Sequence, residues 1–338
     1  MQLKPINQQV VVVVGASSGI GRETAIEFAK RGAKVVASGR SEAKLASLVD
    51  EIRSFAGKVT PVIAEVAVFE QVKAIADKAV ETYGRLDTWV HAPATVVFAP
   101  FDQTAPEEFK RVIEVSLLGQ VYGAMAALPH LKREGRGALI HLSSIAGIRS
   151  LPLQSSYCSA KHGIEGFLDS LRVELQHEGI PISVTSIRPS VINTPFWNNA
   201  LTRIGVKPGG IPPYYDPRLV ADAILYTATH PTRDFFVGDS ARVLDMLQRV
   251  SPPLADSLLQ LIGFPLQRSD EPKSEDAPNN LYEPVPQHTR VDGDYSHLVI
   301  PTFLDWLDKN PILKWGSIGS VAALALVLIQ TLQSGESH

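Results

Sequence analysis

The chain of 338 residues has one cysteine, Cys158, three methionines and no dense cluster of lysine and arginine. A lone thiol excludes an internal disulfide and a cysteine-built metal site, and no metal is expected. It also suits a reducing compartment, so the catalytic part is expected in the cytoplasm. With a formal net charge of -3, nothing marks a nucleic-acid partner. The N-terminal MQLKPINQQ lacks the apolar core of a secretory signal, and no internal repeat is found.

What is present is an alternation. Short β-branched runs stand at Val10–Val14, Lys34–Ala37, Val59–Ala64, Thr88–His91, Ala138–Leu142 and Ile182–Ile187. Between them lie segments with helical spacing at Ile20–Arg31, Ser41–Phe55, Val68–Tyr83, Pro106–Arg133 and Ser155–Glu178. The runs are nearly continuous in apolar residues, which fits strands buried on both faces. Strands alternating with helices predict right-handed crossovers and an α/β fold, a doubly wound parallel sheet. After Pro189 the pattern loosens, with a short helix expected near Thr194–Gly205, another at Arg218–His230 and a last strand in RDFFVG.

The segment VVVVGASSGIGRETA joins the first strand to the first helix and carries Gly15, Gly19 and Gly21. Glycine permits a tight turn and a close backbone approach to a ligand. Amides at the helix start can then hold a pyrophosphate against the positive end of the helix dipole. The bland alternative is a glycine turn that only packs helix on sheet. Further on, SSYCSAKHG sets Tyr157 and Lys161 four residues apart, on one helix face. A free phenol has a pKa near 10, and a nearby ammonium favours the phenolate. Such a phenol can exchange a proton with a substrate oxygen, although most Tyr-x-x-x-Lys pairs are merely an exposed face.

Together, GASSGIG, HLSSIAG, YCSAK and RPSVINT make the chain resemble the short-chain dehydrogenase/reductase family over about Val10 to Gly238. Their joint occurrence in this order is more specific than any one motif. The resemblance implies a single Rossmann-type domain with a seven-stranded parallel sheet, a nicotinamide cofactor, and a small carbonyl or alcohol substrate. It implies that Gly15, Ser17, Ser18, Gly19, Ile20 and Gly21 cradle the cofactor, that Glu65 and Val66 flank the adenine, and that Ile192 and Thr194 lie beside the nicotinamide amide. It implies catalytic roles for Ser144, Tyr157 and Lys161: Ser144 orients the substrate oxygen and Lys161 also holds the nicotinamide ribose. Ser143, next door, is the competing serine and should face the other way along the strand.

Cofactor choice turns on the second strand. It ends in ASGRSE, with Arg40 just after the place where an acid would bind the ribose of NAD. A guanidinium there can hold a 2'-phosphate, so NADP(H) is expected. The expected activity is an NADP-dependent interconversion of carbonyl and alcohol, with Tyr157 as acid/base and a lipophilic substrate. The alternative is a catalytically weakened NADP-binding sensor or scaffold. Three departures from the family feed it: HAPA at His91–Ala94 for the usual Asn-Asn-Ala-Gly, Ser116 for the usual active-site asparagine, and Ser190 for a glycine.

The remaining expectations concern the C-terminal part. Residues 1–262 are assigned to the dehydrogenase domain, 263–310 to a polar, Pro-rich linker, exposed from about 268 to 297, and 311–335 to a tail helix. Trp315–Gly335 is uncharged, and twenty-one residues of helix span roughly 30 Å, one hydrocarbon thickness. A single-pass membrane anchor is expected, with a docking helix or an oligomer contact as alternatives. Gly319 and Ala323 form a small-xxx-small pair suited to helix association, hence to a homo-oligomer.

Overall fold

The computed structural model describes residues 1–305 and 309. The expected tail helix therefore lies outside the described residues. Residues 1–301 form one compact unit, described below.

Seven strands build the central sheet: β1 (Val10–Val14), β2 (Lys34–Gly39), β3 (Lys58–Ile63), β4 (Thr88–His91), β5 (Gly137–Leu142), β6 (Ile182–Pro189) and β7 (Asp234–Val237). All pair in parallel, in the order β3-β2-β1-β4-β5-β6-β7. Every residue of the β1 run VVVVV is buried. Val11 and Val13 enter the apolar layer under helix α1 (Gly19–Lys30) and helix α2 (Glu42–Ser54), whereas Val10, Val12 and Val14 enter the opposite one. That opposite layer is covered by α3 (Phe69–Tyr83), α5 (Gly119–Glu134) and α6 (Ser155–His177). The strand order reverses between β1 and β4, and such a switch point leaves a crevice at the carboxyl ends of the strands.

Helix α4 (Pro106–Ile113) runs into α5 through a π-helical turn, Glu114–Leu118. The stretch Pro106–Glu134 is long and apolar enough to cross a membrane, yet half of its apolar window is buried in the fold, as in a core helix. Two further helices, Asp239–Val250 and Pro252–Ile262, follow β7.

The segment expected as an exposed linker behaves differently. Arg268–Pro272 pairs antiparallel with Val206–Pro208, and Leu281, Val285 and Tyr295 are buried against the domain. Leu281 joins Val97, Ala99, Val112 and Leu201 in a small apolar cluster. Isolated apolar side chains at irregular intervals do this anchoring, and no periodicity announces them in the sequence.

Candidate active site

A cleft of ≈ 1390 Å³, its open mouth included, lies over the carboxyl ends of β1, β4, β5 and β6. The turn after β1 forms its floor. Gly15 adopts φ 83° and Gly19 φ 55°, in the left-handed region that favours glycine. A Cβ on Gly21 would fall 2.2 Å from the Gly15 carbonyl oxygen, so strand and helix approach as only glycine allows. Ser18 stands at the N-cap of α1 without a side-chain bond to the helix amides. Pro93, from the HAPA departure, packs its ring against Gly15.

Gly15, Ser17, Ser18, Gly19, Ile20 and Gly21 all line this cleft. Arg40 and Val66 line its far side, and Ile192 and Thr194 the other end. Ser144, Tyr157 and Lys161 line it as well. Glu65 alone among the expected residues is not in the lining. Its carboxylate instead accepts from Arg111 Nη2 at 2.6 Å and from Arg40 Nη1 at 3.4 Å, and caps the Ala67 amide at 3.1 Å. These bonds hold its carboxyl below the usual range against the opposing effect of burial.

Both serines after β5 line the cleft, and their hydroxyls lie near different partners. Ser144 bonds its hydroxyl to the Tyr157 phenol and also accepts from the Ala146 amide at 3.1 Å. Ser143 turns toward Glu165. Lys161 is buried, with Nζ 2.7 Å from the Leu142 carbonyl oxygen and 5.4 Å from the centre of the Tyr157 ring. Burial lowers its pKa to about 7, and the Glu165 carboxylate resists that fall. One turn further along α6, Glu165 meets Arg188 of β6 at 2.6 Å, and Arg188 meets Asp234 at 2.9 Å.

The phenol runs against the expected direction. Burial raises the Tyr157 pKa above that of a free phenol, and the Ser144 hydrogen bond offsets only part of the rise. The expected lowering needs a charged ammonium and an oxidised nicotinamide beside the phenol. Burial also lowers the Lys161 pKa, so at neutral pH its ammonium is only partly populated and its field on the phenol is weaker. At neutral pH Tyr157 therefore carries its proton.

Ser116 lies in the π-helical turn, and its hydroxyl accepts from the Thr95 amide at 3.0 Å and donates to the Thr95 carbonyl at 3.1 Å. Serine thus clamps the loop after β4 to the helix at a widened turn, a feature frequent at functional sites. His91 is fully buried, stacked on His141 at 6.2 Å, and burial holds it neutral. It packs the core and does not reach the cleft.

Sequence reasoning missed Asn280, which also lines the cleft. Arg40 donates to the Asn280 carbonyl at 2.7 Å and to the Tyr282 carbonyl at 2.9 Å. No local motif could have signalled contacts made about 240 residues apart.

Residues 9–204 match the family described as short chain dehydrogenase. The chain belongs to that family. It is therefore an NAD(P)-dependent oxidoreductase, with the nicotinamide cofactor that the family uses. It is 39% identical over 285 residues to the "uncharacterized oxidoreductase YxnA" of Bacillus subtilis, covering 84% of this chain and 80% of that protein. It is 32% identical over 229 residues to the "3-oxoacyl-[acyl-carrier-protein] reductase FabG" of Thermotoga maritima, covering 65% of this chain and 90% of that protein. The glycine turn, with no room for a side chain at Gly21, fits a dinucleotide in this cleft.

Proposed function

We propose that the protein reduces a lipophilic carbonyl compound to its alcohol with NADPH, the reverse reaction being open to it. The observation that carries this reading is the convergence of Ser144, Tyr157 and Lys161 on the cleft floored by the glycine turn. A nicotinamide held there supplies the hydride. Tyr157 Oη, which carries its proton at neutral pH, gives it to the substrate oxygen. Ser144 donates to the same oxygen and fixes its position. Lys161, tied to the Leu142 carbonyl, holds the ribose side of the cofactor and returns a proton to the phenol.

NADP is the chosen cofactor because Arg40 lines the cleft at the end of β2, where no acid competes for a ribose hydroxyl. The lipophilic substrate is inferred from Phe196 and Trp197, which line the cleft, with Phe196 5.5 Å from the Tyr157 ring. The tail 315–335 is read as an anchor that keeps the enzyme at a bilayer, where such compounds concentrate. The test is NADPH consumption by the purified protein with carbonyl compounds graded in size and apolarity. Turnover that rises with apolarity supports the reading. Tight NADPH binding with no turnover on any compound would favour the weakened sensor or scaffold.

A further inference from the structure

We propose that residues 280–296 are part of the cofactor site: a strap that closes over the bound nucleotide and gates its exchange. The inference rests on the nucleotide reading of the cleft and extends it to a segment outside the family match, which ends at residue 204.

The strap runs the length of the site. At one end the Asn280 and Tyr282 carbonyls accept from Arg40, and Asn280 Oδ1 accepts from Thr95 at 3.0 Å. In the middle the Arg290 carbonyl accepts from the amide of Gly19, at the start of α1, at 3.1 Å. At the other end Gly293 donates to the Asn193 carbonyl at 3.0 Å, and a Cβ there would lie 2.6 Å from the Thr194 carbonyl oxygen. The strap thus touches the 2'-phosphate, pyrophosphate and nicotinamide ends of the proposed site in turn. Of the strap's residues Asn280 lines the cleft itself, and the others bond the groups at its rim.

Two kinds of contact hold the strap. Leu281, Val285 and Tyr295 are buried anchors, and the Tyr295 ring stacks on Tyr214 at 4.6 Å. Between them the ties are polar: the buried Lys44 Nζ to the Gln287 carbonyl at 2.6 Å, and the exposed pair of Arg218 with Asp292 at 2.8 Å and 3.1 Å. Exposed ion pairs contribute little, so the middle can lift while the anchored ends hold. Opening of this kind limits nucleotide entry and release alike. Strap and nucleotide then behave as layers of one site, with Asn280 as a wall residue.

The test measures release of NADPH, and separately of NADH, from the full chain. Bound nucleotide is followed by energy transfer from tryptophan and chased with excess oxidised cofactor. Leu281→Ala should speed release of both nucleotides by at least about tenfold. The pair Lys44→Met and Asp292→Ala, which leaves the apolar anchors intact, should speed it about threefold and carries the test if Leu281→Ala does not fold. Release that is unchanged or slower in the folded variants overturns the strap. Equal affinity for NADH and NADPH would sink the Arg40 assignment but leave the strap standing if both nucleotides leave faster. Failure of the unmutated chain to bind either nucleotide would overturn both readings.

Discussion

Replacing Arg40 with alanine tests the cofactor assignment, and the structure bounds the size of the effect. The Arg40 guanidinium already donates to the Asn280 and Tyr282 carbonyls and lies 3.4 Å from Glu65. A 2'-phosphate would therefore compete for donors already in use, and the gain is a difference between acceptors. Hydrogen bonds to charged groups contribute about 1.5–3 kcal/mol net, and exchange argues for the lower end of that range. Glu65 pushes the same way, because its negative charge opposes a phosphate, although Arg111 at 2.6 Å neutralises much of it. The expected preference for NADPH over NADH is thus about 1.5 kcal/mol, or about tenfold in Kd. Arg40→Ala should bring the ratio close to one by weakening NADPH, with NADH largely unmoved. Titration of tryptophan fluorescence with each nucleotide measures both constants. Equal affinities in the unmutated protein, or a tenfold preference that survives in Arg40→Ala, would refute the reasoning.

Three more outcomes are expected. Lys161 titrates near pH 7 when folded against an ordinary 10.5, so between these values the unfolded chain binds the extra proton and stability rises with pH. Denaturant unfolding at pH 7 and pH 10 should show this rise in the unmutated protein but not in Lys161→Met; equal pH dependence in the two would refute it. Arg188→Ala strands the carboxylates of Glu165 and Asp234 with their closest cation gone, and should cost about 3–5 kcal/mol in the same assay; a loss under about 1 kcal/mol would show the cluster to be dispensable. A chain ended before Asn310 should fold and bind NADPH in the soluble fraction, because the compact unit closes at Pro301, while the full chain should sediment with membranes and resist a salt wash; full-length protein that is soluble without detergent would reject the anchor.

The middle of the sheet was legible because its strands are apolar, β-branched runs whose side chains enter both layers, as Val10–Val14 shows, whereas the edge strands β3 and β7 are only partly buried. The glycine turn was legible for a related reason: steric demands at Gly15 and Gly21 leave one residue type able to meet them. Tyr157 and Lys161 share a helix face by their spacing, Ser144 came from the family resemblance, and all three line the cleft. What escaped depends on distant partners. Glu65 is absent from the lining of the cleft, and its carboxylate pairs with Arg111 of α4, across 46 residues, and with Arg40. The strap escaped because its Pro-, Asp- and Asn-rich composition reads as solvated chain, while three buried side chains pin it. The burial that raises the Tyr157 pKa was not legible, because it depends on how the fold closes around the ring.

The central claim is that Tyr157 is the proton donor for a carbonyl reduced in this cleft. Single-turnover oxidation of bound NADPH by the best carbonyl substrate, compared between the unmutated enzyme and Tyr157→Phe, tests it directly. Phenylalanine keeps the ring that packs on Phe196 at 5.5 Å and removes only the hydroxyl, so NADPH affinity should be unchanged. The chemical step should fall about 10²–10⁴-fold, the range of general acid–base catalysis. A Tyr157→Phe enzyme that binds NADPH and oxidises it at the unmutated rate would contradict it.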